Sequence, residues 1–236
     1  MIAIPLRLAR PAAAFVAALP LTLGCGDGTG STGEATARLR VVHTVVGVPA
    51  LDVVVGDRIV IANVPFGSAS AFVAVAVGSQ PVVLRAAGSS GAVPATTLTF
   101  TTGDSVTVLA ADSSGIITPR VLSDTGALVP PDRSKLRAVH AAAQAPALDV
   151  WRSQPDYADF VTIQFPFAYG ATSPYLESDP GTWRVLVSTE WRDGGIPVLR
   201  DTLLLSAPIL VPAGASRTVM ILDDGSGGVQ LLTLSP

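Results

Sequence analysis

The chain has 236 residues, 49% of them hydrophobic and 14% charged, with a formal charge of −3 at pH 7. So apolar and charge-poor a composition excludes an intrinsically disordered chain, which needs low hydrophobicity and high net charge. A bundle of membrane-spanning helices is also excluded, because beyond the first two dozen residues no apolar run nears the roughly 18 to 20 that a span requires.

The N-terminal ten residues carry Arg7 and Arg10 and no acid, and Pro11–Leu23 is apolar but too short to span a bilayer. A basic stretch followed by an apolar one of about 7 to 15 residues is the layout of a secretory signal peptide. Leu21-Thr22-Leu23-Gly24-Cys25 resembles the lipobox of bacterial lipoproteins, with Thr22 where Leu is commoner. The resemblance implies cleavage before Cys25, diacylglycerol on its sulfur and attachment to a membrane that the fold never crosses. Cys25 is the only cysteine, so no internal disulfide can form. Residues 1–24 are therefore expected to be a lipoprotein signal peptide. Residues 25–36, rich in Gly, Ser and Thr, read as a flexible tether. Asp27 is not directly after the cysteine, which favours the outer membrane as destination.

Removing residues 1–24 leaves 13 basic and 18 acidic side chains and a formal charge of −5, with Lys135 the sole lysine. Nucleic-acid binding has no electrostatic footing on such a chain.

The body of the sequence is written twice. Leu39-Arg40-Val41-Val42-His43 recurs as Leu136-Arg137-Ala138-Val139-His140, and Pro49-Ala50-Leu51-Asp52-Val53 as Pro146-Ala147-Leu148-Asp149-Val150, both at an offset of 97. The offset grows to 103 at Phe66-Gly67 and Tyr169-Gly170, and to 111 at Gly103 and Gly214. Repeat 1 is placed at residues 37–123, a Pro-Pro linker at 124–134 and repeat 2 at 135–236. Within repeat 1 a period of two predicts strands over Leu39–His43, with one buried and one more exposed face, and over Leu51–Val55. Further strands are predicted over Val82–Ala86, Thr96–Thr102, Ser105–Ala111 and Ile116–Leu122, separated by Gly- and Ser-rich turns. No segment of the body has a helical period. The expected architecture is all-β: two tandem immunoglobulin-like antiparallel β-sandwich domains.

The paired stretches LRVVH…VPALDVVV and LRAVH…APALDVW resemble the opening of the domain-of-unknown-function family 4397. Val64-Pro65-Phe66-Gly67, Phe167-Ala168-Tyr169-Gly170 and Pro180-Gly181-Thr182-Trp183 resemble its later steps. The family usually has Ser-Pro-Asp where this chain has Thr44–Val48 and Ala141–Ala145. The resemblance covers residues 37–236 and implies a secreted or surface-attached bacterial β-sandwich in tandem copies, with no established activity.

No catalytic residue is assigned from the sequence, and no cofactor or metal is expected. His43 and His140 occupy equivalent positions, one per repeat, so neither an H-x-H nor an HExxH pair exists. Each could meet the aspartate of the following strand, Asp52 or Asp149, as part of a triad, but strand alternation puts histidine and aspartate on different faces. A histidine at a strand end held by loop backbone is the plainer account. Asp223-Asp224 could hold a calcium ion only weakly, at a loop tip. Repeat 2 holds nine of the twelve aromatics after residue 24, and its extra length adds Tyr157 and Trp191. Tyr157, Trp183 and Trp191 are the candidate ligand-binding residues, since binding side chains gather on long loops of rigid scaffolds.

These features lead to an exported, lipid-anchored, non-enzymatic protein with a binding or cell-envelope scaffold role, expected on the outer membrane facing the periplasm or the surface. Its expected partners are the membrane, through lipid on Cys25, and an envelope glycan or protein ligand. The alternatives are a carbohydrate- or cell-wall-binding module built on the repeat 2 aromatics, and a hydrolase using His43 or His140.

Overall fold

The computed structural model describes residues 35–90, 95–113, 116–124, 128–189 and 202–235. Contacts divide the chain into Met1–Gly33 and Glu34–Pro236, and the first unit lies outside the described residues, with Cys25 in it. All regular structure described is β, in seventeen strands.

Eight strands make the N-terminal sandwich. One sheet has the order β4-β1-β7-β8, built from Val73–Ala76, Thr36–His43, Ser105–Ser113 and Ile116–Ser123. The facing sheet has the order β3-β2-β5-β6, built from Arg58–Val64, Leu51–Val55, Gly78–Ala86 and Thr96–Phe100. Alternate side chains of both sheets meet in one core: Leu39 and Val41 of β1 and Val108 of β7 pack with Leu51, Val53, Leu84 and Phe100. Turn residues give the segments their ends, since Gly56, Gly78, Gly88 and Gly103 all have positive φ, a conformation that costs glycine least.

The order recurs after the linker. Leu176–Ser178, Ser134–His140, Ser216–Asp223 and Val229–Leu234 form the sheet β12-β9-β16-β17. Val161–Phe167, Leu148–Ser153, Gly181–Ser188 and Thr202–Leu205 form the sheet β11-β10-β13-β14. The short strand β15, Ile209–Val211, pairs with Gly181–Trp183 of β13, where β6 pairs with β5 in the first sandwich. The extra length of the second half is therefore carried in part by β14, which extends the sheet along Leu186–Ser188.

The sandwich is as read from the sequence, while the strand order departs from the immunoglobulin one. An immunoglobulin constant domain joins its first, second, fifth and fourth strands in one sheet and its third, sixth and seventh in the other. Here β1 runs parallel to β7, and β9 parallel to β16, each pair in the middle of its sheet.

The second face of β1 also differs from expectation. Arg40 and Val42 alternate with the core residues, yet both are buried, because this face meets the other sandwich. Val42, Leu109 and Leu122 pack there with Val139, Met220, Leu222, Leu232 and Leu234 in a cluster separate from both sandwich cores. The contact is reciprocal: Val42 and Val139 are equivalent, as are Leu109 and Met220 by their pairing with β1 and β9. An isologous interface between two subunits has this character, here formed within one chain.

Candidate functional site

The motif residues assemble into one hub per sandwich. In the first, the His43 Nε2–H donates to Pro49 O at 3.0 Å, and Nδ1 accepts from the Val45 N–H at 3.3 Å. In the second, His140 Nε2–H donates to Pro146 O at 3.0 Å, and Nδ1 accepts from the Ala142 N–H at 3.3 Å. One ring nitrogen donating and the other accepting defines a neutral imidazole with the proton on Nε2. An aromatic edge closes each hub: Phe66 against His43 with ring centroids 5.9 Å apart, and Tyr169 against His140 at 6.1 Å. The next residues, Gly67 and Gly170, have φ of 72° and 81° and donate their N–H to the histidine carbonyls. The histidine, the proline after it and the aromatic-glycine step are thus far apart in sequence and interlocked in space.

Neither aspartate joins a histidine. Asp52 accepts from the Asn63 N–H at 2.9 Å and the Gly88 N–H at 3.2 Å. It thereby pins a bulge of β3, where Asn63 has a φ of 57°, to the turn after β5. Asp149 is buried too, and burial pushes its carboxyl above the usual carboxylate range. Asp223 accepts twice from the Gln144 N–H, at 3.1 and 3.3 Å, and burial raises its carboxyl as well. Asp224 caps its own turn, accepting from the Ser226 and Gly228 N–H groups. No group of three metal-ligating side chains occurs among the described residues.

Burial holds both imidazoles below their usual value of 6.5, against the opposing hydrogen bonds to backbone. The unfolded chain therefore takes up protons on these histidines at a higher pH than the folded one. Their contribution to stability is complete above about pH 6.5 and is lost as pH falls from there toward the lowered folded values. The expected slope is at most about 1.4 kcal/mol per pH unit for each histidine. Asp149 and Asp223, whose carboxyls burial raises, act with the opposite sign as pH rises above the ordinary carboxylate value of 3.8, and the histidine effect sets in just below 6.5. Urea denaturation at several pH values checks it, with a flattened slope expected in the double variant His43→Gln, His140→Gln.

Of the candidate aromatics, Trp183 and Tyr157 lie among the described residues. Trp183 is only 7% exposed, in β13 on the core-facing side with Val185 and Val187. The Arg152 guanidinium lies 4.2 Å above its ring centre, so that face is covered and cannot serve as a stacking platform. Tyr157 is half-buried with a φ of 60°, stacked on Phe160 at 6.4 Å, with Arg184 5.7 Å from its ring centre. Trp191 lies outside the described residues. Strand β13 ends at Ser188, which pairs with Asp149, whereas residues 154–160 leave β10 after Ser153, which pairs with Arg184.

Beside Trp183 lies a cleft of about 310 Å³ lined by Gln154, Pro155 and the turn from Asp179 to Trp183. Sequence reasoning missed Arg152, whose guanidinium covers the Trp183 ring. Leu148 and Val150 face the core, so alternation alone would have placed Arg152 on the same side.

A second charged cluster joins the sandwiches. Asp124 receives Arg40 Nη2 at 3.0 Å on one oxygen and Arg137 Nη2 at 2.6 Å on the other. Arg40 Nε donates to Thr107 Oγ1 at 2.6 Å and Arg137 Nε to Thr218 Oγ1 at 2.8 Å, and the Thr107 hydroxyl donates to Asp124. Phe72 stacks on Arg40 and Tyr175 on Arg137, 4.5 and 4.6 Å from ring centre to guanidinium carbon. Each arginine also reaches across, Arg40 to Ser235 O and Arg137 to Ser123 O. Burial pulls Arg40 below its ordinary value, and Asp124 opposes that shift.

Residues 37–151 match the model of a family described as Domain of unknown function (DUF4397). The matched stretch takes in the N-terminal sandwich and continues through β9 to Trp151 of β10. A search of curated proteins finds no match.

Proposed function

We propose that the chain is an exported bacterial lipoprotein, held on the cell envelope by lipid on Cys25. Its two sandwiches are tandem copies of one family domain, with a non-enzymatic binding or scaffold role. The observation that carries this reading is the state of His43 and His140: both ring nitrogens of each are engaged by backbone. A general base needs a free lone pair aimed at a substrate proton, and neither imidazole offers one. The recurrence of strand order and of the histidine hub supports duplication of one domain. Anchoring follows from the sequence around Cys25, since two or more acyl chains hold a protein stably where one holds it marginally.

Membrane fractionation with radiolabelled palmitate tests the anchor. Labelled chain is expected in the membrane fraction, and Cys25→Ser is expected to abolish both label and partitioning. Retention of Cys25→Ser on membranes would remove lipid as the anchor. Turnover of any substrate in broad hydrolase profiling, abolished by His140→Ala, would replace the non-enzymatic reading with the hydrolase one.

A further inference from the structure

We propose that the turn carrying Tyr169 and Gly170 is an acid-released latch: a proton taken up by His140 frees the turn and loosens the contact between the two sandwiches. The turn is tied on both sides. Inward, the Gly170 N–H donates to His140 O at 2.7 Å, and the His140 N–H donates to Ala171 O at 3.0 Å. Outward, Gly170 O accepts from Arg120 Nη2–H, on strand β8 of the other sandwich. A Cβ on Gly170 would overlap the Arg120 guanidinium, so that side chain lies directly on the turn. The imidazole beneath is fully buried, while Tyr169, whose ring meets it edge-on, is 38% exposed. One turn therefore covers the histidine and takes part in the contact between sandwiches. The residues on either side of His140, Val139 and Ala141, belong to the apolar cluster of that contact.

A proton on His140 is poorly accommodated while the turn is closed. Nδ1 accepts from the Ala142 N–H, and protonation there sets a donor against a donor. An imidazolium sealed from water also carries the desolvation cost of a buried charge. Opening the turn relieves both, because water then reaches the ring. The ionisable neighbours are few. Residues 141–147 and strand β11 contain none. Asp149 of β10 alternates with the core residues Leu148 and Val150, which puts it on the other face of the sheet. Arg120 is on the turn carbonyl, and Asp224 caps its own turn. Asp223 of β16 favours the charged imidazole, but burial outweighs it and holds His140 below 6.5. The closed latch is thus complete above about pH 6.5 and is lost as pH falls through the lowered value of the closed state.

The N-terminal hub supplies the contrast. Its turn has the same inward bond, from the Gly67 N–H to His43 O. Across from it stands Gln230 of β17, whose Nε2 is 3.2 Å from the place of a Cβ on Gly67. That amide donates to Asp223 O, within its own sandwich. Arg120 instead donates across the contact, so His140 is the coupled histidine and His43 its internal control.

Coupling is reciprocal, so a clamp that His140 loosens must itself depress the proton affinity of His140. Imidazole titration by NMR on the full chain tests this, with two histidines to follow. Arg120→Gln, an exposed substitution, is expected to raise the proton affinity of His140 at least about threefold, half a pH unit, and to leave His43 in place. Repeating the titration in about 1 M salt, where the screening length is about 3 Å, separates the clamp from the mere loss of a cation. Persistence of the shift supports the latch, and its disappearance overturns it. The methyl signal of Met220, the one methionine in the contact, is expected to titrate with the midpoint of His140 in the parent and to be flat in His140→Gln. A Met220 signal that ignores His140 in the parent, or equal shifts of both histidines in Arg120→Gln, would also overturn the proposal. The Arg120→Gln titration stands by itself if His140→Gln does not fold.

Discussion

Replacing Asp124 with alanine is expected to lower the free energy of unfolding by about 3–5 kcal/mol, the cost of removing one member of a buried ionic cluster. The substitution leaves the Arg40 and Arg137 guanidinia facing each other without the carboxylate that both of them bind. Phe72 and Tyr175 cover their faces, so water has little access to replace the lost acceptor. Thr107 loses the acceptor for its hydroxyl in the same step. Urea denaturation followed by circular dichroism measures the change as a fall in midpoint. A change below about 1 kcal/mol, the value of an exposed pair, would show that the cluster is solvated in solution.

The cost of breaking such a cluster says little about its worth against an apolar alternative. Buried ionic triads replaced whole by hydrophobic residues can be neutral or stabilising. The triple variant Arg40→Met, Asp124→Leu, Arg137→Met is therefore expected to recover most of what Asp124→Ala loses. The surface pairs of Arg133 with Glu177 and Asp179 are a different case, since all three side chains are at least one third exposed. Salt screens such pairs, so they contribute little to stability.

Much of the fold was legible because local pattern and final environment agree. The alternation of Leu39, Val41 and His43 and of Leu51 and Val53 is the alternation of one core, and the turns fall where Gly and Ser interrupt it. Arg58–Val64 and Val73–Ala76 were not marked as strands. Each is an edge strand, and β3 carries a bulge at Asn63 that breaks its period. The burial of Val42 could not be read from β1 alone, because its cover comes from β9, β16 and β17, about a hundred residues away. The same holds for Asp124, which reads as a polar linker residue until the pairing of β1 with β7 and β9 with β16 brings two arginines to it. At the candidate site, residue type was a poor guide for Trp183. A tryptophan suggests a platform, but register put it opposite Ile209 and under Arg152.

Met220→Ala is expected to destabilise the protein by about 2–5 kcal/mol, the range for truncating a long apolar side chain in a close-packed site. Met220 is fully buried in the cluster that lies between the sandwiches and outside both cores. The spread within that range depends on how far Val42, Leu109 and Leu222 can close on the space. Because the surface covered there is shared, its loss should be felt on both sides. All three tryptophans lie in the C-terminal half, so fluorescence follows that sandwich alone while circular dichroism follows both. In a two-state molecule the two signals report one transition, and Met220→Ala should shift both midpoints together. If fluorescence moves and the N-terminal part of the circular dichroism signal stays in place, the sandwiches fold separately. The reciprocal contact would then be a docking surface without cooperative weight. Coincident shifts make it a third core, which holds the two sandwiches in a single body.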